Sequence, residues 1–148
     1  MPVFVLRHAD RMSDQSDGLS QKGIKRAKFL AHMLAGSGVG TAYCSDAQRT
    51  KQTLGPLKLA LGNSLTINEI SAAGVSGPAG HVRAVVTALR SLPDAAIAVV
   101  VSHSNTVGPI IEGMGAGVID VIGDSEFDKL FVLFGSGNGP RSLLKLRY

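Results

Sequence analysis

The sequence predicts a three-layer α/β/α domain of the α/β class, with helices on both faces of a mostly parallel sheet and an antiparallel edge. Three observations lead there. Short apolar runs alternate with helix-period stretches in the order β-α-β-α-β-α-β-α-β-β, the pattern of strands joined by crossover helices. The runs at Val3–Arg7 and Ala95–Val101 are almost uninterrupted apolar residues, as expected of strands covered on both faces. At the end, Lys129–Phe134 and Ser142–Arg147 flank Gly135-Ser136-Gly137-Asn138-Gly139-Pro140, which reads as a β-hairpin with a long glycine-rich loop.

Taken in order, residues 3–7 are a buried strand and the polar stretch from Asp10 to Gly18 is a loop. Ser20 is placed to cap a helix over about 21–35, which Gly36-Ser37-Gly38 ends. Ile24, Ala27, Leu30, Ala31 and Leu34 lie at helical spacing along it. Thr41–Ser45 is a second strand. A helix starts near Ala47, and Gly55-Pro56 is expected to interrupt or bend it. Leu65–Asn68 is a weaker strand, and Gly74 to Gly80 is a loop. His81–Ser91 is a helix with Val82, Val85, Val86 and Leu89 on one face. Pro93-Asp94 turns the chain into the strand Ala95–Val101, and a short helix runs from Asn105 to about Met114. There is no internal repeat, linker or low-complexity tail.

The 148 residues fit one domain spanning 1–148, long enough to bury a core. A hydrophobic content of 45% argues against disorder. No apolar run approaches the roughly 20 residues that cross a bilayer, and no basic leader precedes the first apolar stretch. A cytoplasmic protein without membrane contact is expected; an exported mature form lacking its leader would read the same way. The single cysteine, Cys44, reads as a packed, inert thiol in a strand. Net charge +4 favours anionic partners. The densest cations, Lys22, Lys25, Arg26 and Lys28, share one helix and read as its solvated face. With two tyrosines, no tryptophan and no aromatic-basic interleaving, nucleic acid is not the expected partner. Oligomeric state is not encoded in any legible feature.

Chemistry enters at the strand ends. Arg7-His8 closes the first strand, Ser45-Asp46-Ala47-Gln48-Arg49-Thr50 follows the second, and Ser102-His103-Ser104-Asn105-Thr106 follows Ala95–Val101. In an open α/β sheet ligands bind beyond the carboxyl ends of the strands, so the topology gathers these segments. Two arginines and two histidines there suit phosphoryl transfer, which demands positioning and neutralisation of the equatorial oxygens. Arg7 and Arg49 are the candidate phosphate ligands, because a guanidinium binds two phosphate oxygens at once. Arg49 sits one helical turn past Ser45, where the helix N-terminus adds donors. His8 is the candidate nucleophile, forming a phosphohistidine, and His103 the candidate stabiliser of the phosphoryl oxygens. His32 and His81 read as surface residues. His8, Asp10 and His103 could form a two-histidine, one-carboxylate metal site. Two arginines at the same place would repel a divalent cation and already supply its charge, so no metal and no cofactor is expected.

The same segments resemble the histidine phosphatase superfamily, also called phosphoglycerate mutase-like, over essentially the whole chain. Leu6-Arg7-His8-Ala9-Asp10 looks like its Arg-His-Gly signature, with Ala9 in place of the usual glycine. Leu19-Ser20-x-x-Gly23-x-x-Arg26-Ala27 resembles the segment that opens its first helix. Ser45-x-x-x-Arg49-Thr50-x-Gln52-Thr53 is similar to its second-arginine motif, and Val101 to Val107 to its second-histidine motif. Glu126-Phe127-Asp128-x-Leu130-Phe131 and Leu146-Arg147-Tyr148 resemble the ends of compact bacterial members. The resemblance implies a nucleophilic His8 and a phosphate pocket of Arg7, His8, Arg49 and His103.

A general acid for the leaving group is the least defined part. Glu69 lies at a suitable place in the chain order, and Asp10 competes by its proximity to His8. Only the segment from about Leu65 to Gly80 is available to cover the site, which favours an open-sited phosphohydrolase acting on a phosphomonoester or a phosphoprotein. A mutase-type phosphotransferase and an inactive phosphate-binding module are the alternatives.

Overall fold

The computed structural model describes residues 1–148. The chain forms β1 (Val3–Arg7), α1 (Gln21–Leu34), β2 (Thr41–Cys44), α2 (Gln48–Leu61), β3 (Thr66–Glu69), α3 (Gly77–Arg90), β4 (Ala98–Ser102), α4 (Val107–Gly113), β5 (Lys129–Phe134) and β6 (Ser142–Arg147). One six-stranded sheet has the order β3-β2-β4-β1-β5-β6. β3, β2, β4 and β1 pair in parallel, while β5 runs antiparallel to β1 and β6 antiparallel to β5. The expected mostly parallel sheet with an antiparallel edge is therefore observed.

Side chains alternate across the sheet and build a core on each face. Val3, Val5, Val100 and Tyr43 meet Val85, Leu89, Ile110 and Ile111 of α3 and α4. Leu6, Ala42, Val99 and Val101 meet Leu30 and Leu34 of α1 and Leu54 and Leu57 of α2. All five residues of β4 are buried. It is the central strand that its uninterrupted apolar run announces, and each fully buried Val or Leu here is worth about 1.5–3 kcal/mol.

Several local expectations need correction. α2 continues through Gly55-Pro56 without a break. The proline ring crowds both the N–H and the Cβ of the residue before it, and Gly55, with no Cβ, removes part of that clash. α3 begins at Gly77 rather than His81, with Pro78 in its first turn, where the missing N–H costs nothing. His81 is buried instead of exposed (1% exposed), on the stripe it shares with Val85 and Leu89. On α1, Ile24 stands outside the core (37% exposed) and Arg26 leaves the solvated face, pairing with Asp10 at 2.6 Å. His32, Lys22, Lys25 and Lys28 are exposed and Cys44 is buried, as expected.

The start of α1 fixes the loop that follows β1. The Ser20 hydroxyl caps the helix by accepting from the Gly23 N–H at 3.1 Å, and the Ser20 N–H donates to the Asp10 carbonyl at 2.9 Å. Gly23 lies so close to the main chain of Asp10 that a Cβ there would overlap its carbonyl oxygen. No helix is long and apolar enough to cross a membrane.

Candidate active site

The register of β1 on β4 places Arg7 beside Ser102, and the His8 N–H donates to the Ser102 carbonyl at 2.8 Å. The residues after both strands thereby become neighbours, with the His8 and His103 rings 5.5 Å apart between centroids. They lie in a cavity of about 490 Å3 whose lining includes Arg7, Arg49, Arg11 and Ser104.

Each side chain is held by the chain around it. Arg7 is buried, and its Nη1 donates to the carbonyls of Gly123, Asp124 and Glu126 at 2.9, 2.9 and 3.2 Å. Its guanidinium lies 4.0 Å from the centre of the Phe127 ring. Burial, and then the charge of Arg11, lower its pKa from the ordinary value. Arg49, in the first turn of α2, donates from Nη1 to Asp17 at 2.6 Å. The Nε of Arg7 and the Nε of Arg49 are both buried without a protein partner. Two buried N–H donors without acceptors are costly, and an anion in the cavity would supply them.

His8 is 2% exposed. Its Nδ1 lies 2.8 Å from the Ala9 carbonyl, which accepts only, so the proton sits on Nδ1 and the Nε2 lone pair is free. Burial lowers its pKa to about 3, against the pull of the Ala9 carbonyl, and the charges of Arg7, Arg49 and His103 act in the same direction as burial. The ring is a neutral base at any physiological pH. Thr53 anchors this turn: its hydroxyl accepts from the Ala9 N–H at 2.9 Å and donates to the Arg49 carbonyl at 2.8 Å. One threonine therefore couples the end of β1 to the first turn of α2.

His103 faces an Arg49 N–H at 3.4 Å through Nδ1, so Nε2 carries its proton and donates to the Ser45 hydroxyl at 2.8 Å. Its pKa is lowered to about 4 by burial first, then by Arg49 and His81. Behind it, His81 bridges the Ile70 carbonyl (2.8 Å) and the Ser102 hydroxyl (2.8 Å). Ser102 in turn bonds the Thr106 hydroxyl at 2.7 Å, which accepts from the His103 N–H at 3.0 Å.

Of the six residues singled out by sequence, four converge: Arg7, His8, Arg49 and His103. Asp10 and Glu69 do not line the cavity. Asp10 is turned onto Arg26 at 2.6 Å, with Lys22 at 3.8 Å. Glu69 sits on the edge strand β3, paired with Lys51 at 3.2 Å. The cavity's own carboxylates were not foreseen, and all their oxygens are engaged. Asp17 accepts from Arg49 and the Gln48 N–H, and Asp46 from Ser71 and the Ala72 N–H. The supporting role of His81 was also missed. Its spacing from Val85 and Leu89, four and eight residues on, was the available signal. No three His, Cys, Asp or Glu side chains are grouped to hold a metal ion.

Two arginines and two histidines held neutral by burial thus meet at the carboxyl edge of a parallel sheet, an arrangement suited to an anion. The model of the histidine phosphatase superfamily (branch 1) matches residues 4–71, which include Arg7, His8 and Arg49. Among curated proteins, none matches the chain by sequence. Solved structures share its fold along its length. The protein histidine phosphatase SixA, in complex with tungstate, superposes with a TM-score of 0.77 at 21% identity, covering 99% of this chain and 97% of that one. A mycobacterial glucosyl-3-phosphoglycerate phosphatase superposes with a TM-score of 0.68 at 16% identity, covering 99% and 97%. A phosphoserine phosphatase from Entamoeba histolytica gives 0.68 at 14% identity, covering 99% and 96%. The resemblance read from the sequence agrees with the family match over residues 4–71, and the fold is phosphoglycerate mutase-like.

Proposed function

We propose that the chain is a metal-independent phosphohydrolase that works through a phosphohistidine on His8, with a phosphomonoester or a phosphoprotein as substrate. The observation that carries this reading is the His8 ring, buried, neutral and fixed by Ala9 so that Nε2 is free. In the first step Nε2 attacks phosphorus, and the bond to the leaving group breaks with its electron pair. Arg7 and Arg49 neutralise the equatorial oxygens through donors that lack a protein partner, and His103 completes the pocket. In the second step water displaces Nε2 from phosphorus, releasing phosphate and restoring the neutral imidazole.

The leaving group decides the substrate class. Neither Asp10 nor Glu69 faces the cavity, and Asp17 and Asp46 already accept hydrogen bonds at both oxygens. No carboxylic acid stands ready to protonate an alkoxide. This arrangement favours substrates whose leaving group departs without an acid, such as a phosphorylated histidine, the substrate type named for the SixA neighbour.

Hydrolysis of 4-nitrophenyl phosphate in the presence of a chelator tests the reading, because its phenolate leaves unaided. Turnover should persist with chelator and fall by about a thousandfold or more in His8→Ala. Chelator-sensitive turnover, or an active His8→Ala, would overturn it. Among substrates, a phosphohistidine peptide should be cleaved with far higher kcat/KM than an alkyl phosphate of similar size.

A further inference from the structure

Arg11 is the cation in the cavity that the phosphoryl chemistry leaves unused. Its side chain is only 22% exposed, yet its guanidinium makes no hydrogen bond within the protein. Its one acidic neighbour is Asp14 at 3.6 Å, a carboxylate 98% exposed to solvent. The backbone around Arg11 is fixed by a bridge to Leu19, itself buried, so the side chain leaves from a defined point beside Arg7. Of the other charges lining the cavity, Asp17 answers Arg49 and Asp46 is bonded to Ser71 and Ala72; neither pairs with Arg11. A mostly covered arginine beside a second, like-charged arginine, with no hydrogen bond to the protein, offers its guanidinium donors to an anion in the cavity.

One phosphoryl group does not use this residue as well. Arg7 and Arg49 line the cavity and each keep a buried Nε–H without a protein partner, donors enough for the reacting phosphate, and the cavity of about 490 Å3 has the size of a small-molecule site rather than of a lone anion. We infer that Arg11 forms a subsite for a second anionic group carried by the phosphorylated substrate, beside the phosphoryl group that Arg7 and Arg49 hold. The substrate is then a phosphate compound bearing a carboxylate or a further phosphate near the reacting phosphorus. This rests on the reading of Arg7 and Arg49 as phosphoryl ligands.

Two phosphonates that differ only in the second anion make the test, with methylenediphosphonate as a third. Methylphosphonate offers one anionic head, phosphonoacetate adds a carboxylate, and methylenediphosphonate adds a second phosphonate. Their affinities are measured by calorimetry on the wild type, Arg11→Gln and Arg11→Lys. The wild type should bind at least one doubly anionic compound about 10- to 100-fold more tightly than methylphosphonate, the range of a charge-assisted contact. Which of the two is preferred identifies the second group. That preference should collapse toward unity in Arg11→Gln and be partly kept in Arg11→Lys. A wild type without preference, or a preference that survives Arg11→Gln, would overturn the subsite. Failure of the phosphatase reading shows separately, as absent turnover of 4-nitrophenyl phosphate, and the affinity ratios are read without turnover.

Discussion

Arg26 and Gly23 act on the site from beneath, one turn apart on the same helix. Arg26 is 15% exposed and Asp10 11% exposed at the side chain, and Arg26 also donates to the Tyr148 carbonyl beneath that residue's ring. Removing the cation strands a largely buried carboxylate, so Arg26→Met should cost about 2–4 kcal/mol, read as a lowered Tm at neutral pH. Gly23→Ala places a methyl group where the Asp10 carbonyl stands. It should destabilise by at least about 2 kcal/mol and displace the turn that holds His8, lowering kcat on an aryl phosphate even at temperatures where the variant is folded. At this scale the sequence was informative about four residues. Arg7, His8, Arg49 and His103 each follow a strand end closely, so topology alone gathers them. Asp10 lies two residues from His8 yet turns away from the cavity, because distance along the chain says nothing about direction. Its side chain follows the turn after Ala9 toward Arg26, a partner sixteen positions away. Asp17 and Asp46 escaped notice because a carboxylate in a polar loop has no periodicity to betray its partner.

α2 shows what a local rule leaves out. Proline inside a helix removes one hydrogen bond and usually ends the element, yet here the helix runs on from Gln48 to Leu61. Glycine ahead of proline relieves part of the steric problem, and Leu54 and Leu57, both fully buried, hold the two halves in line. The cost of the missing bond persists, so replacing Gly55 and Pro56 together by alanine should stabilise the protein by about 1–3 kcal/mol. Nothing stands within 4 Å of a Cβ at Gly55. A thermal melt that fails to move upward would mean that the Gly-Pro geometry is required by packing. α3 makes the complementary point. Its first turn reads as loop because glycine and proline are punctuation in most settings, whereas Pro78 in the first turn is among the few places a helix welcomes it. The other strands and the terminal hairpin were legible to within a residue, since burial on both faces and a glycine-rich loop are strong one-dimensional signals, whereas β4 begins at Ala98 rather than Ala95 because the turn after Pro93 takes up Ala95 and Ala96.

Across the whole molecule, the buried histidines set a pH limit on stability. His8 and His103 have their pKa lowered to about 3 and about 4, and His81 is lowered as well, by burial in each case first. In the unfolded chain all three titrate near the ordinary value, about 6.5. Below that value the unfolded state binds protons that the folded state refuses, so stability is full above about pH 6.5 and is lost as pH falls toward 4. Tm should be level between pH 7 and 8 and decline steeply from 6.5 to 4.5; a level Tm across the lower interval would show that these rings are not held neutral. The sheet order carries a different kind of consequence, one of timing. Arg7 and Ser102, the partners that bring the two catalytic candidates together, are about 95 residues apart in the chain. That closure is entropically expensive and belongs to the slow, non-local part of folding. During refolding from denaturant, helices can form early, but the anion pocket has no partial version: it is absent until the central strands zip. Recovery of phosphonate binding should therefore follow the slowest folding phase, making the ligand a clock for the last long-range step.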